Sequence, residues 1–450
     1  MGKKTPYLSG APVKDSFRQL GTGRTLLLGL QHMFAMFGAT ILVPLATGLS
    51  VQVTLIGVGI GTLIFHFFAK GRVPVFLGSS FAFMAGMQLI TNEEYGVFAG
   101  TALSQTERLS YATGGILVAG FMYFILALLI KVVGVEKVMR FMPPVVTGPI
   151  VILIGVMLAP FAIRQSSSNM LLAFISLAIV VIAAVWGKGM TKVVPLVLGL
   201  LGGYVIAVIM NAVGMTNADG SAIIDFAQVA QNGYVGLPDF MLPRFSIVPI
   251  LVMIPFSFAT IAEHIADMVI LSDLCEEDFI KKPGLHRTLI GDGLATCFSG
   301  LIGAPATTTY SENVGVVILT KIHDAKVVML AAVYATVLGF IVVFADIVYT
   351  IPTAIVGGVS FILYGMIAAV GIRSLVENQV DIGKTKNLVI VAVILVTGLG
   401  LRFGPIIDIS FGNVDIPLDR LGIAIAAILG ILLNVILPEE KEEVKEEVEQ

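Results

Sequence analysis

The sequence predicts an all-α integral membrane protein, and three observations lead to that fold class. Of the 450 residues 57% are hydrophobic and only 13% are charged, whereas about 25% of the residues of a soluble domain are charged. Apolar runs recur along the chain, and about 20 apolar residues are enough to cross the hydrocarbon core of a bilayer. Lys and Arg gather at alternate ends of these runs, as they do in proteins with many spans.

Fourteen apolar segments result when the runs are divided at charged and at Gly- or Pro-marked breaks. They start near residues 25, 51, 75, 111, 138, 170, 193, 247, 286, 305, 326, 348, 386 and 418. Because fourteen is even, both termini are expected on the same side of the membrane. Of the 27 Lys and Arg residues, 22 then lie on that side, which the positive-inside rule identifies as the cytoplasm.

This pattern divides the chain into five predicted regions. They are a cytoplasmic N-terminal segment (1–24), a first seven-span repeat (25–213), an extracytoplasmic loop (214–246), a second seven-span repeat (247–437) and an acidic cytoplasmic tail (438–450). The N-terminal segment is basic and lacks the apolar centre of a cleavable signal peptide. Since seven spans is an odd number, the two repeats must insert with opposite orientation, which is a common transporter arrangement.

Two segments at matching places in the two repeats are not plain apolar helices. Residues 75–90 and 304–320 each open with an extended-looking stretch of small, hydroxyl and β-branched residues before a helical pattern begins. Such interrupted spans leave backbone groups unpaired, which is tolerated only where they line a protein cavity. A matched pair of interrupted spans is the best sequence indication of a transporter's binding site.

Short motifs repeat at the same spacing and support this match. Residues 31–32 are Gln-His and residues 263–264 are Glu-His, while residues 79–80 are Ser-Ser and residues 311–312 are Ser-Glu. Both pairs of motifs are separated by 232 positions. The shared spacing supports the match between the two interrupted segments.

The eighth segment carries ionisable residues in the middle of an apolar run, namely Glu263, His264 and Asp267. An ionisable group there costs about 2.5–3.5 kcal/mol on insertion scales, so it indicates a functional site. The i, i+4 spacing places Glu263 and Asp267 on one helix face, and two carboxylates away from water do not both ionise freely. The pair is therefore a candidate proton-coupling site. The alternative is a structural role, in which the carboxylates, or His264 alone, bond to a neighbouring helix.

Glu312 lies where the helical part of the tenth segment is expected to begin. A helix start exposes free N–H groups and a partial positive charge, which hold a carboxylate or a polar ligand group. Helix capping alone would explain Glu312, but its carboxylate also suits a planar ligand with neighbouring N–H groups. Phe81 in the matching segment could supply a stacking surface for such a ring, although a single Phe is often a core residue.

Other functional classes lack their motifs. The sequence has no phosphate-binding loop, no nucleophile elbow and no Cys/His cluster with metal-ligand spacing, so no enzyme, cofactor or metal site is expected. Cys275 and Cys297 are too few for a disulfide framework. An uncoupled structural membrane protein is disfavoured by the carboxylates in the eighth segment.

From about residue 20 to residue 437 the sequence resembles the nucleobase–ascorbate transporter family, also called nucleobase:cation symporter-2, and within it the bacterial uracil permeases. The family signature is Gln/Glu/Pro, Asn, any residue, Gly, four residues, Thr and then Arg/Lys/Gly. Residues 312–321, ENVGVVILTK, reproduce it. Further likeness occurs in residues 31–40, 77–83, 262–264 and 283–287.

The resemblance implies a core domain of spans 1–4 and 8–11 that moves against a gate domain of spans 5–7 and 12–14. It implies short antiparallel strands in spans three and ten, and a homodimer in the cell inner membrane. It further implies uracil:proton symport by alternating access. The implied uracil-binding residues are Glu263, Glu312 and Phe81, with the backbone around Tyr310 and Ser311.

Two positions depart from the usual uracil-permease pattern. Asp267 stands where a histidine is common, which leaves the proton-coupling residue open among Glu263, Asp267 and His264. Ser311 stands where Gly is frequent, whereas the Glu at the first signature position resembles uracil permeases. The alternatives are a purine or xanthine permease of the same family and, with less support, an anion transporter of the same fold.

Overall fold

A computed structural model describes residues 12–93, 96–140, 143–227, 229, 231, 233–404, 408–411, 414–418 and 421–438. The predicted N-terminal segment is therefore described only from residue 12, and the acidic tail lies outside the described residues except for Pro438. The predicted interrupted segments and the carboxylates fall within the described part of the chain.

The first half of the chain is helical apart from one short strand. Its elements are α1 (Ser16–Leu20), α2 (Thr22–Thr47), α3 (Val51–Phe68), β1 (Leu77–Ser79), α4 (Phe81–Thr91), α5 (Gln105–Val133), α6 (Val135–Met139), α7 (Pro144–Ser166), α8 (Met170–Trp186), α9 (Met190–Val193) and α10 (Pro195–Ala212).

The second half repeats this pattern after a long connection. Its elements are α11 (Ile247–Cys275), a π-helical turn (Ile280–Gly284), α12 (Leu285–Ile302), β2 (Thr307–Thr309), α13 (Ser311–Thr320), α14 (Ala325–Leu338), α15 (Val342–Tyr349), α16 (Thr353–Glu377), α17 (Thr385–Phe403), β3 (Asp408–Phe411), β4 (Val414–Pro417) and α18 (Gly422–Ile436).

Each of the fourteen predicted segments contains a helix. Among the described residues eight helices are long and apolar enough to cross a membrane, and four shorter helices are also apolar. The long helices are α2, α3, α5, α7, α10, α11, α16 and α17. The predicted all-α membrane class is therefore confirmed, while the arrangement of fourteen spans as two inverted repeats stays a prediction.

Strands β1 and β2 confirm the predicted strands in the two interrupted segments. They pair antiparallel, with Gly78 opposite Thr308 in the register. The ring of Tyr310 packs on Gly78 so closely that a Cβ there would lie 2.1 Å from a ring carbon. A side chain at position 78 would clash with this ring, so glycine is required where the Tyr310 ring packs against β1.

Strands β3 and β4 form a second antiparallel pair between α17 and α18, with Ile409 opposite Ile416. The sequence analysis places no strand there. Residues 408–411 and 414–417 alternate polar and apolar residues over stretches too short to cross a membrane, and this pattern is typical of short strands.

The helices pack in two groups, and the central strands belong to the first. In the first group α12 packs against α3 and α5, α11 packs against α5, and α14 packs against α2 and α3. In the second group α16 packs against α7 and α8, α10 against α8, and α17 against α7 and α18. We call these groups the core group and the gate group, since they contain the segments assigned to core and gate by the resemblance.

Candidate functional site

A cavity of about 220 Å³ lies between the core group and the gate group. On the core side it is lined by Phe81, Glu263, Tyr310 and Glu312, together with the strand residues Thr308 and Thr309. On the gate side it is lined by α7 and α16, including Thr147, Val151, Leu363, Met366 and Val370. The cavity thus brings together most of the side chains that the sequence indicates as a binding site.

The two glutamates reach the cavity from different elements. Glu263 lies in the middle of α11, and Glu312 lies in the first turn of α13. Helix α13 starts directly after β2 and has no side-chain cap, and α4 starts in the same way after β1. Two helix starts with free N–H groups therefore point towards the centre, where they favour a polar ligand group.

An aromatic wall completes the core side of the cavity. The rings of Phe81 and Tyr310 are stacked at 14°, with centroids 6.1 Å apart. The Tyr310 hydroxyl donates a hydrogen bond of 2.8 Å to the carbonyl of Ser79, and the Ser79 hydroxyl donates one of 2.9 Å to the carbonyl of Thr40. These bonds fix the Tyr310 ring, so Phe81 presents a fixed face next to two carboxylates.

Asp267 does not line the cavity. Its side chain is buried and accepts a hydrogen bond from the Thr309 hydroxyl of β2. The four-residue spacing does place Glu263 and Asp267 along the same helix, but the strand covers Asp267 and leaves Glu263 facing the cavity. Asp267 therefore lies between the helix that carries Glu263 and the strand that leads to Glu312. A proton-coupling role for Asp267 stays a prediction.

His264 lies outside the cavity as well, and its partner is a residue that the sequence analysis missed. His264 Nδ1 is 2.9 Å from a carboxylate oxygen of Asp292 on α12, and both side chains are fully buried. Asp292 lies in the middle of the ninth predicted segment, so the rule that revealed Glu263 would also have revealed it. The pair joins α11 to α12 within the core group.

A comparable contact with an uncharged partner joins α2 to the start of α13. The side-chain nitrogen of Asn313 donates a hydrogen bond of 3.2 Å to the carbonyl of His32 and lies 3.2 Å from Nδ1 of the same histidine. Asn313 follows Glu312 in the sequence, so this contact attaches the start of α13 to α2. Asn313, the second residue of the signature motif, thus helps to position Glu312 through its contact with His32.

Ser311 is the first residue of α13, and a contribution of its backbone to the site stays a prediction. In the described part of the chain no group of three or more His, Cys, Asp or Glu side chains is arranged to hold a metal ion. Both cysteines are free, and neither lines the cavity. The arrangement suits reversible binding of a small planar molecule, since it offers acceptors, free N–H groups and an aromatic face.

The fold and this site define a multi-pass membrane transporter with a central binding cavity. Comparison with known families agrees, because the model of the Permease family matches residues 23–407. The chain therefore belongs to this family and is a transporter rather than an enzyme. The family that the sequence motifs indicate is confirmed.

Curated relatives extend over nearly the whole chain. The uracil permease of Bacillus subtilis (strain 168) is 38% identical over 440 residues, which cover 94% of this chain and 94% of the relative. The uracil permease of Bacillus caldolyticus is 38% identical and covers 95% of each chain. The putative pyrimidine permease RutG of Escherichia coli (strain K12) is 36% identical and covers 88% of this chain and 87% of the relative.

Solved structures support the fold. The transmembrane domain of the cyanobacterial bicarbonate transporter BicA superposes with a TM-score of 0.61 at 17% identity, covering 94% of this chain and 99% of that domain. The murine anion transporter Slc26a9 in its inward-facing state gives a TM-score of 0.59 at 14% identity, covering 96% of this chain and 70% of that protein. At this identity the likeness shows the shared fold alone.

Proposed function

We propose that this protein is a uracil:proton symporter of a bacterial inner membrane and works by alternating access. The observation that carries the proposal is the cavity between the core and gate groups, in which Glu263, Glu312 and Phe81 face one space. The uracil permeases among the relatives support the choice of substrate.

The chemistry of uracil matches the groups around the cavity. Its ring carries N–H donors, which suit the carboxylate oxygens of Glu263 and Glu312, and carbonyl oxygens, which suit free backbone N–H groups at helix starts. Its flat face suits stacking on Phe81. A cavity of roughly 150 Å³ in another protein binds benzene, so about 220 Å³ accommodates one six-membered ring with its oxygens.

Proton coupling follows from the two carboxylates that share this space. Like charges in a site with little water disfavour ionisation of both groups, so one of them binds a proton more readily. A proton on Glu263, or on Asp267 behind it, reduces the negative charge of the site and provides a donor for a uracil carbonyl. Uracil binding and proton binding then favour each other, which is the linkage that symport requires.

The position of the cavity supports alternating access. It is bounded by the core group on one side and by α7 and α16 of the gate group on the other. A movement of the core group relative to these two helices would open the cavity to one side and close it to the other. We further propose a homodimer with both termini in the cytoplasm.

Transport by the purified protein in liposomes tests the proposal. Radiolabelled uracil should accumulate when the outside is made acidic, and a protonophore or the Glu263→Ala change should abolish accumulation. The same assay with xanthine and adenine as competitors, repeated on Glu312→Gln, separates a uracil permease from a purine or xanthine permease. Uracil accumulation that does not depend on the proton gradient would contradict symport. Anion currents without uracil transport would favour an anion transporter.

A further inference from the structure

A second cavity, of about 370 Å³, adjoins the first one on the other face of Glu312. It lies between α2 and α13 of the core group and the α9–α10 region of the gate group. Glu312 and Met366 line both cavities, so the two spaces meet at these side chains. Any ligand of the first cavity that contacts Glu312 is therefore next to the second.

The walls of the second cavity combine apolar surface with one cation. Small residues of α2, Ala35 and Ala39, form one wall, and Val193 and Pro195 form the opposite wall. Lys192 is the cationic residue among those that line the space. It belongs to the Lys and Arg residues that the positive-inside rule places on the cytoplasmic side.

Helix α9, which carries Lys192, is linked to the core group. The side-chain nitrogen of Gln31 on α2 lies 2.9 Å from the sulfur of Met190, the first residue of α9. On the core side of the cavity, a Cβ at Gly315 would lie 3.6 Å from Val193, which is an ordinary van der Waals contact. Helix α9 therefore lies against both α2 and α13 of the core group.

We propose that this cavity is a second binding station for the transported nucleobase, on the cytoplasmic side of the central site. This inference rests on the proposed function. Glu312 serves both stations as an acceptor for ring N–H groups, and the Lys192 ammonium donates to a ring carbonyl oxygen, which a uracil-class molecule offers on either side of an N–H. The apolar walls accommodate the flat faces of the ring.

The Lys192→Met substitution tests the proposed contact. It should lower the initial rate of uracil transport about tenfold, as expected for the loss of one hydrogen bond to a charged group, while Lys192→Arg retains most of the rate. Lys188→Met is the matched control, because it removes the same charge from the same connection and does not line the cavity. Equal rates for Lys192→Met and Lys188→Met would overturn the proposed role of Lys192.

Occupancy of the second station is tested by labelling. In a chain with Cys275→Ala and Cys297→Ala, the change Ala39→Cys places one thiol in the cavity wall. A membrane-impermeant thiol reagent should modify it from the cytoplasmic side, uracil should slow the modification, and Lys192→Met should weaken that protection. Modification that uracil does not slow would contradict the station.

The two proposals fail in different ways. If wild-type protein does not transport uracil, the proposed function is wrong. If it transports uracil but Lys192→Met is without effect and uracil does not protect Ala39→Cys, only the second station is wrong.

Discussion

The two short helices that start beside the central cavity occupy matching positions in the two predicted repeats but differ in chemistry. Helix α4 starts at Phe81 after Ser80, whereas α13 starts at Ser311 and carries Glu312. Ser80 and Glu312 are related by the spacing of 232 residues, as are Phe81 and Asn313. The start of α4 therefore supplies the aromatic ring of Phe81. The start of α13 supplies the carboxylate of Glu312 and the side-chain amide of Asn313.

The same asymmetry appears in the helices that lie behind them. His32 in α2 contacts the neutral side chain of Asn313, whereas His264 in α11 contacts the carboxylate of Asp292. Among the described residues, the carboxylates of Glu263, Asp267, Asp292 and Glu312 lie in or behind the cavity, and all four belong to the second predicted repeat. We therefore expect the two predicted repeats to share the shape of the site, and the second predicted repeat to supply its carboxylates.

The strongest test of this comparison is the pair of contacts behind the site. Asp292→Ala should lower the free energy of unfolding by about 3–5 kcal/mol, because it removes one partner of a buried acid–base pair. Asn313→Ala should lower it by about 1–3 kcal/mol, the cost of an unpaired buried polar group. Unfolding of both variants in detergent is followed by denaturant titration. Equal losses would contradict the difference between the His264 contact, whose partner is a carboxylate, and the His32 contact, whose partner is a neutral amide.

The next test compares the two helix starts directly. Glu312→Ala should weaken uracil binding at least about tenfold, since a hydrogen bond to a charged group contributes about 1.5–3 kcal/mol. Ser80→Ala should change affinity less than about twofold, because within the described residues the Ser80 hydroxyl has no hydrogen-bond partner. Equilibrium binding of radiolabelled uracil measures both. A larger loss of affinity in Ser80→Ala than in Glu312→Ala would contradict the proposed role of Glu312 in binding.

Phe81 is expected to give a smaller effect on binding. Stacking of a base on an aromatic side chain contributes about 1–3 kcal/mol, and the lower end of this range predicts that Phe81→Ala weakens uracil binding about fivefold. Phe81→Tyr keeps the ring and serves as the control, with affinity within about threefold of wild type. The same binding assay applies. Loss of affinity in Phe81→Tyr equal to that in Phe81→Ala would argue against stacking.

The smallest effect is expected for Glu107, which lies at the water-exposed start of α5. Glu107 and Ser104 form a capping box at the start of α5, and Arg244 lies 2.8 Å from the carboxylate. The backbone N–H of Ser104, and next Arg244, hold the pKa of Glu107 below its ordinary value. The stabilisation is therefore present above about pH 4.3 and is lost as the pH falls through the lower folded-state pKa.

Thermal unfolding checks this expectation. Glu107→Gln should lower the unfolding midpoint slightly near pH 7, and wild type and variant should converge well below about pH 4. A difference between them that grows as the pH falls would contradict the assigned sign.

Much of the architecture follows from the sequence because membrane burial leaves a strong pattern. The apolar segments predict the helices and the two interrupted stretches predict extended backbone, while the strands β1 and β2 are what the family resemblance implies. Glu263 and Glu312 are indicated because a carboxylate in an apolar or half-helical segment is costly.

The remaining contacts depend on neighbours that a spacing rule does not specify. Helical periodicity places Glu263 and Asp267 on one face, but β2 covers one of them and leaves the other in the cavity. Asp292 is isolated in its segment, and its significance becomes clear only when His264 is seen beside it. The hairpin of β3 and β4 is short, so its pattern is weak beside those of the long helices.

Proton uptake during uracil binding is the measurement that tests the account most directly. Calorimetric titration of the purified protein in two buffers with different ionisation enthalpies reports the number of protons bound with each uracil. The account predicts net proton uptake near neutral pH for wild type, because a protonated carboxyl group in the central site accompanies the bound ring. Strong uracil binding with no net proton change at any pH would contradict it.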